Sequence, residues 1–135
     1  LRDAFGPGSH ATTFGGTPIA TAAAKAVVTY MVEHRVPERA AEMGEFLMNG
    51  LRERLKDHPY VEQVRGKGLL IGIVCKGPAA ELIAEAHRRH LLVVPAGPNV
   101  VRLLPNLLLT REDAERGLNI LTEIFESQLS REGTA

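Results

Sequence analysis

The chain predicts an α+β domain: helices packed on a small antiparallel or mixed four-stranded sheet, preceded by a glycine-rich loop and a long helix from a different structural unit. Three observations carry this. The first half holds two stretches with helical apolar spacing, the second half holds two pairs of short β-rich runs, and each pair is split by glycines and followed by a helical pattern.

The first helix is expected at about Pro18 to Glu33, where Ile19, Ala22, Ala23, Ala26, Val27, Tyr30 and Met31 recur at i, i+3, i+4 and i+7. Thr17 is placed to cap it by accepting a backbone N–H, and Pro18 suits the first helical position, where a missing N–H costs nothing. Pro37 opens a second helix with Ala40, Gly44, Leu47, Met48, Leu51 and Leu55 on one face, ending before Asp57-His58-Pro59. "YVEQVRGKGLLIGIVC" then predicts strands at about Val61 to Arg65 and Leu69 to Cys75, broken by a turn at Gly66 and Gly68.

A helix on Ala79, Leu82, Ile83 and Ala86 follows, and "LLVVP" and "VVRLLP" predict two further strands around Ala96-Gly97-Pro98-Asn99. Thr110 with Asp113 forms a capping-box pattern before a last helix carrying Ala114, Leu118, Leu121 and Ile124 or Phe125. The polar tail after Ser127 is expected to fray.

Composition narrows the function. Sixteen basic and sixteen acidic side chains give a formal net charge of +0, which argues against nucleic acid, an anionic membrane or an acidic partner. The single Cys75 forms no internal disulfide, and no Cys/His spacing of zinc type or membrane-length apolar run is present, so a cytoplasmic, reducing setting is expected. The chain starts at Leu1 rather than Met, which suggests a piece of a longer protein.

Two features could carry chemistry. In "HATTFGGTP" the glycines permit close backbone approach, the threonine hydroxyls are donors to phosphate oxygens, and the following helix offers its positive end. The same residues also suit a capped turn, with Thr12, Thr13 and Thr17 satisfying local backbone groups. The second feature is Arg102, set in the apolar "VVRLLP". A guanidinium there must reach solvent or a partner, and its planar fork matches a carboxylate, either of a ligand or of a protein Asp or Glu. His87 and His90 share a helix face but lack a third ligand, Cys75 reads as core, and Lys25 faces away from the apolar stripe.

Taken together, "GPGSHATTFGGTPIATAAA", "VRGKGLLIGI", "LLVVPAGPNVVRLLPNLLLT" and "EDAERGLNILTEIF", in this order, resemble the C-terminal third of class III, fold-type I aminotransferases, which depend on pyridoxal 5'-phosphate. The resemblance runs from about Phe5 to Phe125 and is nearest to the branch that moves an amino group from N-acetylornithine to 2-oxoglutarate, a step of arginine biosynthesis. It implies that residues 1–35 close a large cofactor-binding domain and residues 36–135 form the small C-terminal domain.

It also implies that Thr13, with Thr12 beside it, binds the cofactor phosphate of the neighbouring subunit of a homodimer, and that Arg102 binds the substrate carboxylate. Family members commonly have His-Gly where this chain has His10-Ala11 and Gly-Gly-Asn-Pro where it has Gly15-Gly16-Thr17-Pro18. The Schiff-base lysine and the acid that pairs with the pyridine nitrogen lie upstream in the family, so the 135 residues alone are expected to be inactive. A noncatalytic carboxylate-binding regulatory domain, using Arg102 but not the threonine loop, is the alternative.

Overall fold

The computed structural model describes Gly6 and residues 8–132. Residues 1–5, where the resemblance begins, and 133–135, the end of the expected frayed tail, lie outside the described residues. The elements are α1 (Pro18–Glu33), α2 (Val36–Arg54), β1 (Val61–Lys67), β2 (Leu70–Cys75), α3 (Ala80–Arg88), β3 (Val94–Pro95), β4 (Val100–Leu103) and α4 (Arg111–Glu132). The chain divides into two compact units, Leu1–Val36 and Pro37–Ala135.

In the first unit, Pro18 stands in the first turn of α1 and Thr17 is its N-cap, but the hydroxyl does not accept a helix N–H. It donates backward to the Phe14 carbonyl at 2.9 Å, which ties the Gly15-Gly16 turn to the helix start. The expected cap bond is therefore corrected to a turn bond, as Thr hydroxyls readily choose a nearby carbonyl. No residue of α1 is buried, and Ile19 stands 85 % exposed.

The second unit is built on a four-stranded antiparallel sheet of order β1-β2-β4-β3. Val64, Ile73 and Val101 are register partners across three strands, and Ile71 faces Leu103. All five are buried, so they form the core face of the sheet. Leu47 and Leu51 of α2, Leu55 just after it, Leu82, Ile83 and Ala86 of α3, and Leu118, Leu121, Ile124 and Phe125 of α4 complete that core.

Several boundaries differ from expectation. β1 continues through Gly66 to Lys67, and the turn falls on Gly68, whose φ is +54°. Gly66 is needed inside the hairpin because a Cβ there would lie 2.5 Å from the Leu70 carbonyl oxygen. Of "LLVVP", only Val94–Pro95 is strand. His90 takes a left-handed φ of 59°, and the Leu91 N–H donates to Ala86 O while the His90 N–H donates to His87 O. This closes α3 in a Schellman motif and takes Leu91 out of the sheet.

The capping box at α4 is present in altered form: the Asp113 N–H donates to Thr110 Oγ1 at 3.1 Å, and that hydroxyl donates to the Asp113 carboxylate at 2.7 Å. The tail does not fray after Ser127, since α4 continues to Glu132.

Candidate functional site

Arg102 lies on the sheet face opposite the core. It pairs with Gly72 of β2 and with Val94 of β3, while Gly72 pairs on its other side with Arg65 of β1. Directly opposed residues project to the same face, so Arg65, Gly72, Arg102 and Val94 form one row across the sheet. The glycine separates the two arginines, and its missing side chain leaves open floor between them.

A cavity of about 330 Å³ lies over this floor, lined by Arg65, Lys67, Leu70, Gly72, Val100 and Arg102 among others. The room depends on Gly72, because a Cβ there would already press on Val100 Cγ1 at 3.2 Å. Arg102 is half-buried, and its Nε is buried without a hydrogen-bond partner. Ion pairs elsewhere in this unit involve other cations, such as Arg54 with Glu115 and Arg89 with Glu85 and Glu123. A buried N–H donor on a permanent cation without an acceptor is costly, and the same guanidinium group belongs to a residue that lines the cavity, where a carboxylate could pair with it.

Thr12 and Thr13 belong to the first unit, in the bend that precedes α1, and both are exposed. In this loop Ser9 donates to Gly6 O and Thr17 to Phe14 O, whereas the hydroxyls of Thr12 and Thr13 make no hydrogen bond to another described residue. The turn is tight at Gly15, where a Cβ would collide with Thr12 Cγ2 at 2.2 Å. Two hydroxyls left uncommitted beside a helix N-terminus fit the phosphate of a cofactor.

The weaker candidates resolve as structural. His87 Nε2 lies 2.8 Å from the Val93 carbonyl and donates to it, bracing the segment after α3. Glu85 accepts from both Arg89 and Arg88, and the Arg89 bond foremost, then that of Arg88, holds its carboxyl below the usual range. No group of His, Cys, Asp and Glu among the described residues could hold a metal. Cys75 is fully buried at the end of β2, and burial pushes its thiol up to about 11. Among the described residues no helix is long and apolar enough to cross a membrane.

Sequence reading singled out Arg102 but missed Arg65, Lys67 and Gly72. The signal was present in "VRGKG": in a strand Arg65 and Lys67, two apart, share a face. Placing the turn at Gly66 removed Lys67 from the strand.

Residues 1–125 match the family model described as aminotransferase class-III. The acetylornithine aminotransferase of Bacillus subtilis (strain 168) is 46% identical over 123 residues, covering 91% of this chain and 32% of that protein. The acetylornithine aminotransferase of Streptococcus mutans is 43% identical over 123 residues, with the same coverage of 91% and 32%. Among solved structures, the ornithine aminotransferase from Toxoplasma gondii superposes with a TM-score of 0.84 at 25% identity, covering 96% of this chain and 32% of that one. The acetylornithine aminotransferase from Elizabethkingia anophelis gives 0.81 at 29% identity, covering 93% and 34%. The chain thus spans about a third of the length of the curated relatives it matches.

Proposed function

Because the chain belongs to the class III aminotransferases, we propose that it is the C-terminal part of a homodimeric transaminase that moves an amino group from N-acetylornithine to 2-oxoglutarate. When bound, pyridoxal 5'-phosphate supplies the electron sink for this chemistry. The 135 residues contribute positioning rather than proton transfer. In this reading the covalent lysine lies outside the 135 residues.

Arg102 binds and orients the substrate carboxylate. The observation that carries this role is that Arg102, whose Nε has no hydrogen-bond partner, lines a cavity whose lining residues include no acid. A fixed carboxylate holds the rest of the substrate in one orientation, which converts binding energy into alignment. Thr12 and Thr13 would hold the cofactor phosphate through hydroxyls uncommitted within the described chain, supported by the N-terminus of α1. In a homodimer these hydroxyls serve the neighbouring subunit's cofactor.

The test is glutamate formation from N-acetylornithine and 2-oxoglutarate with added cofactor, comparing the 135-residue chain with the chain extended to the length of its relatives. Turnover in the extended chain alone is expected. Ornithine, succinylornithine and γ-aminobutyrate as donors define which branch it serves. In the extended enzyme Arg102→Ala should cost about 3 kcal/mol, or ~10²-fold in kcat/KM, as loss of one partner of a charge pair does. Thr13→Ala should weaken cofactor retention with little effect on turnover at saturating cofactor. No turnover with any donor would shift the function to noncatalytic carboxylate binding, and an Arg102→Ala enzyme with unchanged KM would remove Arg102 from the site.

A further inference from the structure

Another cavity, of about 140 Å³, shares no residue with that of Arg102 and lies between α2 and the start of α4. Arg39, Met43 and Phe46 line it from one face of α2, where they recur at i, i+4 and i+7, with Glu42 beside them. Leu107, Leu109 and Arg111 complete the lining from the segment that leads into α4.

The guanidinium carbon of Arg111 stands 4.0 Å from the centroid of the Phe46 ring. This cation–π contact occupies the face of the guanidinium, so its edge of N–H donors is left for an acceptor and its position is set before a ligand arrives. Neither Arg39 nor Arg111 makes a hydrogen bond or ion pair with another described residue. Glu42 follows Arg39 at a spacing that permits an i, i+3 pair, yet the two do not pair, whereas Arg88 and Arg89 both close on Glu85. Two cations lining one small cavity repel unless an anion lies between them.

The lining also restricts the ligand. It sets two cations against one carboxylate, so a single negative charge balances it and a second is opposed by Glu42. Met43, Leu107 and Leu109 offer apolar contact, and Leu107 is an exposed leucine that such contact would cover. We infer that this cavity binds a monocarboxylate with a small branched apolar body, its carboxylate held by Arg39 and Arg111 and its body against Met43, Leu107 and Leu109. The planar forks of the two arginines match a carboxylate. The inference does not draw on the role of Arg102.

The cavity lies wholly within the unit that has its own core, so the 135-residue chain serves for the test. It is titrated with 3-methylbutanoate while the Phe46 ring resonances are followed by NMR, which reports this cavity rather than that of Arg102. Saturable shifts are expected. Acetate, which has the charge without the body, and 3-methylbutan-1-ol, which has the body without the charge, should each bind about tenfold more weakly. Arg39→Gln and Arg111→Gln should each weaken 3-methylbutanoate about fivefold, the upper end for an exposed charge pair, and Arg111→Lys should do so less. Glu42→Gln should tighten it, and Arg102→Gln should leave it unchanged.

Absence of saturable shifts at Phe46 refutes the site. Binding that survives unchanged in both Arg39→Gln and Arg111→Gln refutes it too, as does loss of the Phe46 shifts in Arg102→Gln. Tighter binding of inorganic phosphate than of 3-methylbutanoate at Phe46 refutes the monocarboxylate as the ligand class.

Discussion

Replacing Gly44 by alanine sets two effects of known size against each other. On an open helix surface the change gains about 1 kcal/mol, because alanine is the better helix former. At Gly44, however, α2 lies directly on the β1–β2 turn: a Cβ would stand 2.1 Å from the Gly68 carbonyl oxygen, 2.3 Å from its carbon and 2.7 Å from its Cα. Comfortable carbon contacts are about 3.5–4.0 Å, so the turn must retreat by more than ~1 Å. All three obstructing atoms are backbone, and Gly68 already holds a left-handed φ of +54°. The cost therefore falls at or above the upper end of overpacking penalties, about 3 kcal/mol, and the net loss is about 2 kcal/mol. For a unit of this size that lowers Tm by roughly 10 °C.

The assay is thermal and urea denaturation followed by circular dichroism, with Gly117→Ala as the contrast. At Gly117 the nearest atom to an added Cβ is Leu91 Cδ1 at 3.9 Å, an ordinary contact, so that variant should gain about 0.5–1 kcal/mol. A Gly44→Ala protein as stable as the unsubstituted chain, in an experiment where Gly117→Ala shows its gain, would refute the close seating of α2 on the hairpin. The seating matters for the site because Lys67 immediately precedes Gly68, so a turn forced outward carries a cavity cation with it.

Thr110→Ala should cost about 1 kcal/mol of stability by leaving the Asp113 N–H without its acceptor, and Thr110→Ser should restore most of it, read from urea midpoints. The buried Cys75 should resist thiol reagents at pH 8 in the folded chain and react on unfolding. Its folded pKa, about 11, lies above the ordinary value of 9.0, so the unfolded state loses this proton first. Stability from this group is complete below pH 9 and declines between about pH 9 and 11, and Cys75→Ala should flatten that slope in pH-dependent denaturation.

What the sequence revealed follows the range of the interactions involved. Helix starts are local events: Pro18, Pro37 and the Thr110–Asp113 pair marked theirs within four residues, and each helix begins within a residue or two of its mark. Arg102 was also singled out, since a guanidinium among apolar β-formers must reach solvent or a partner. The errors arose where the backbone geometry of a turn or a helix end, rather than residue type, decides. Gly66 reads as a turn former, yet it is a strand residue kept small by the opposing backbone at Leu70 and Ile71, and Leu91 reads as a strand residue, yet its N–H is taken by the end of α3. The first of these errors hid Lys67, because ending β1 at Arg65 breaks the alternation that puts Lys67 on the cavity face.

Gly72 shows the same dependence most clearly. In "LLIGIVC" it is a weak point of a strand by propensity. Only the pairing of β2 with both β1 and β4 shows that this residue stands between two arginines and that its lack of a side chain is what makes the cavity. A glycine in a central strand thus indicates a close approach by something else, and here that space is open to a ligand rather than filled by backbone.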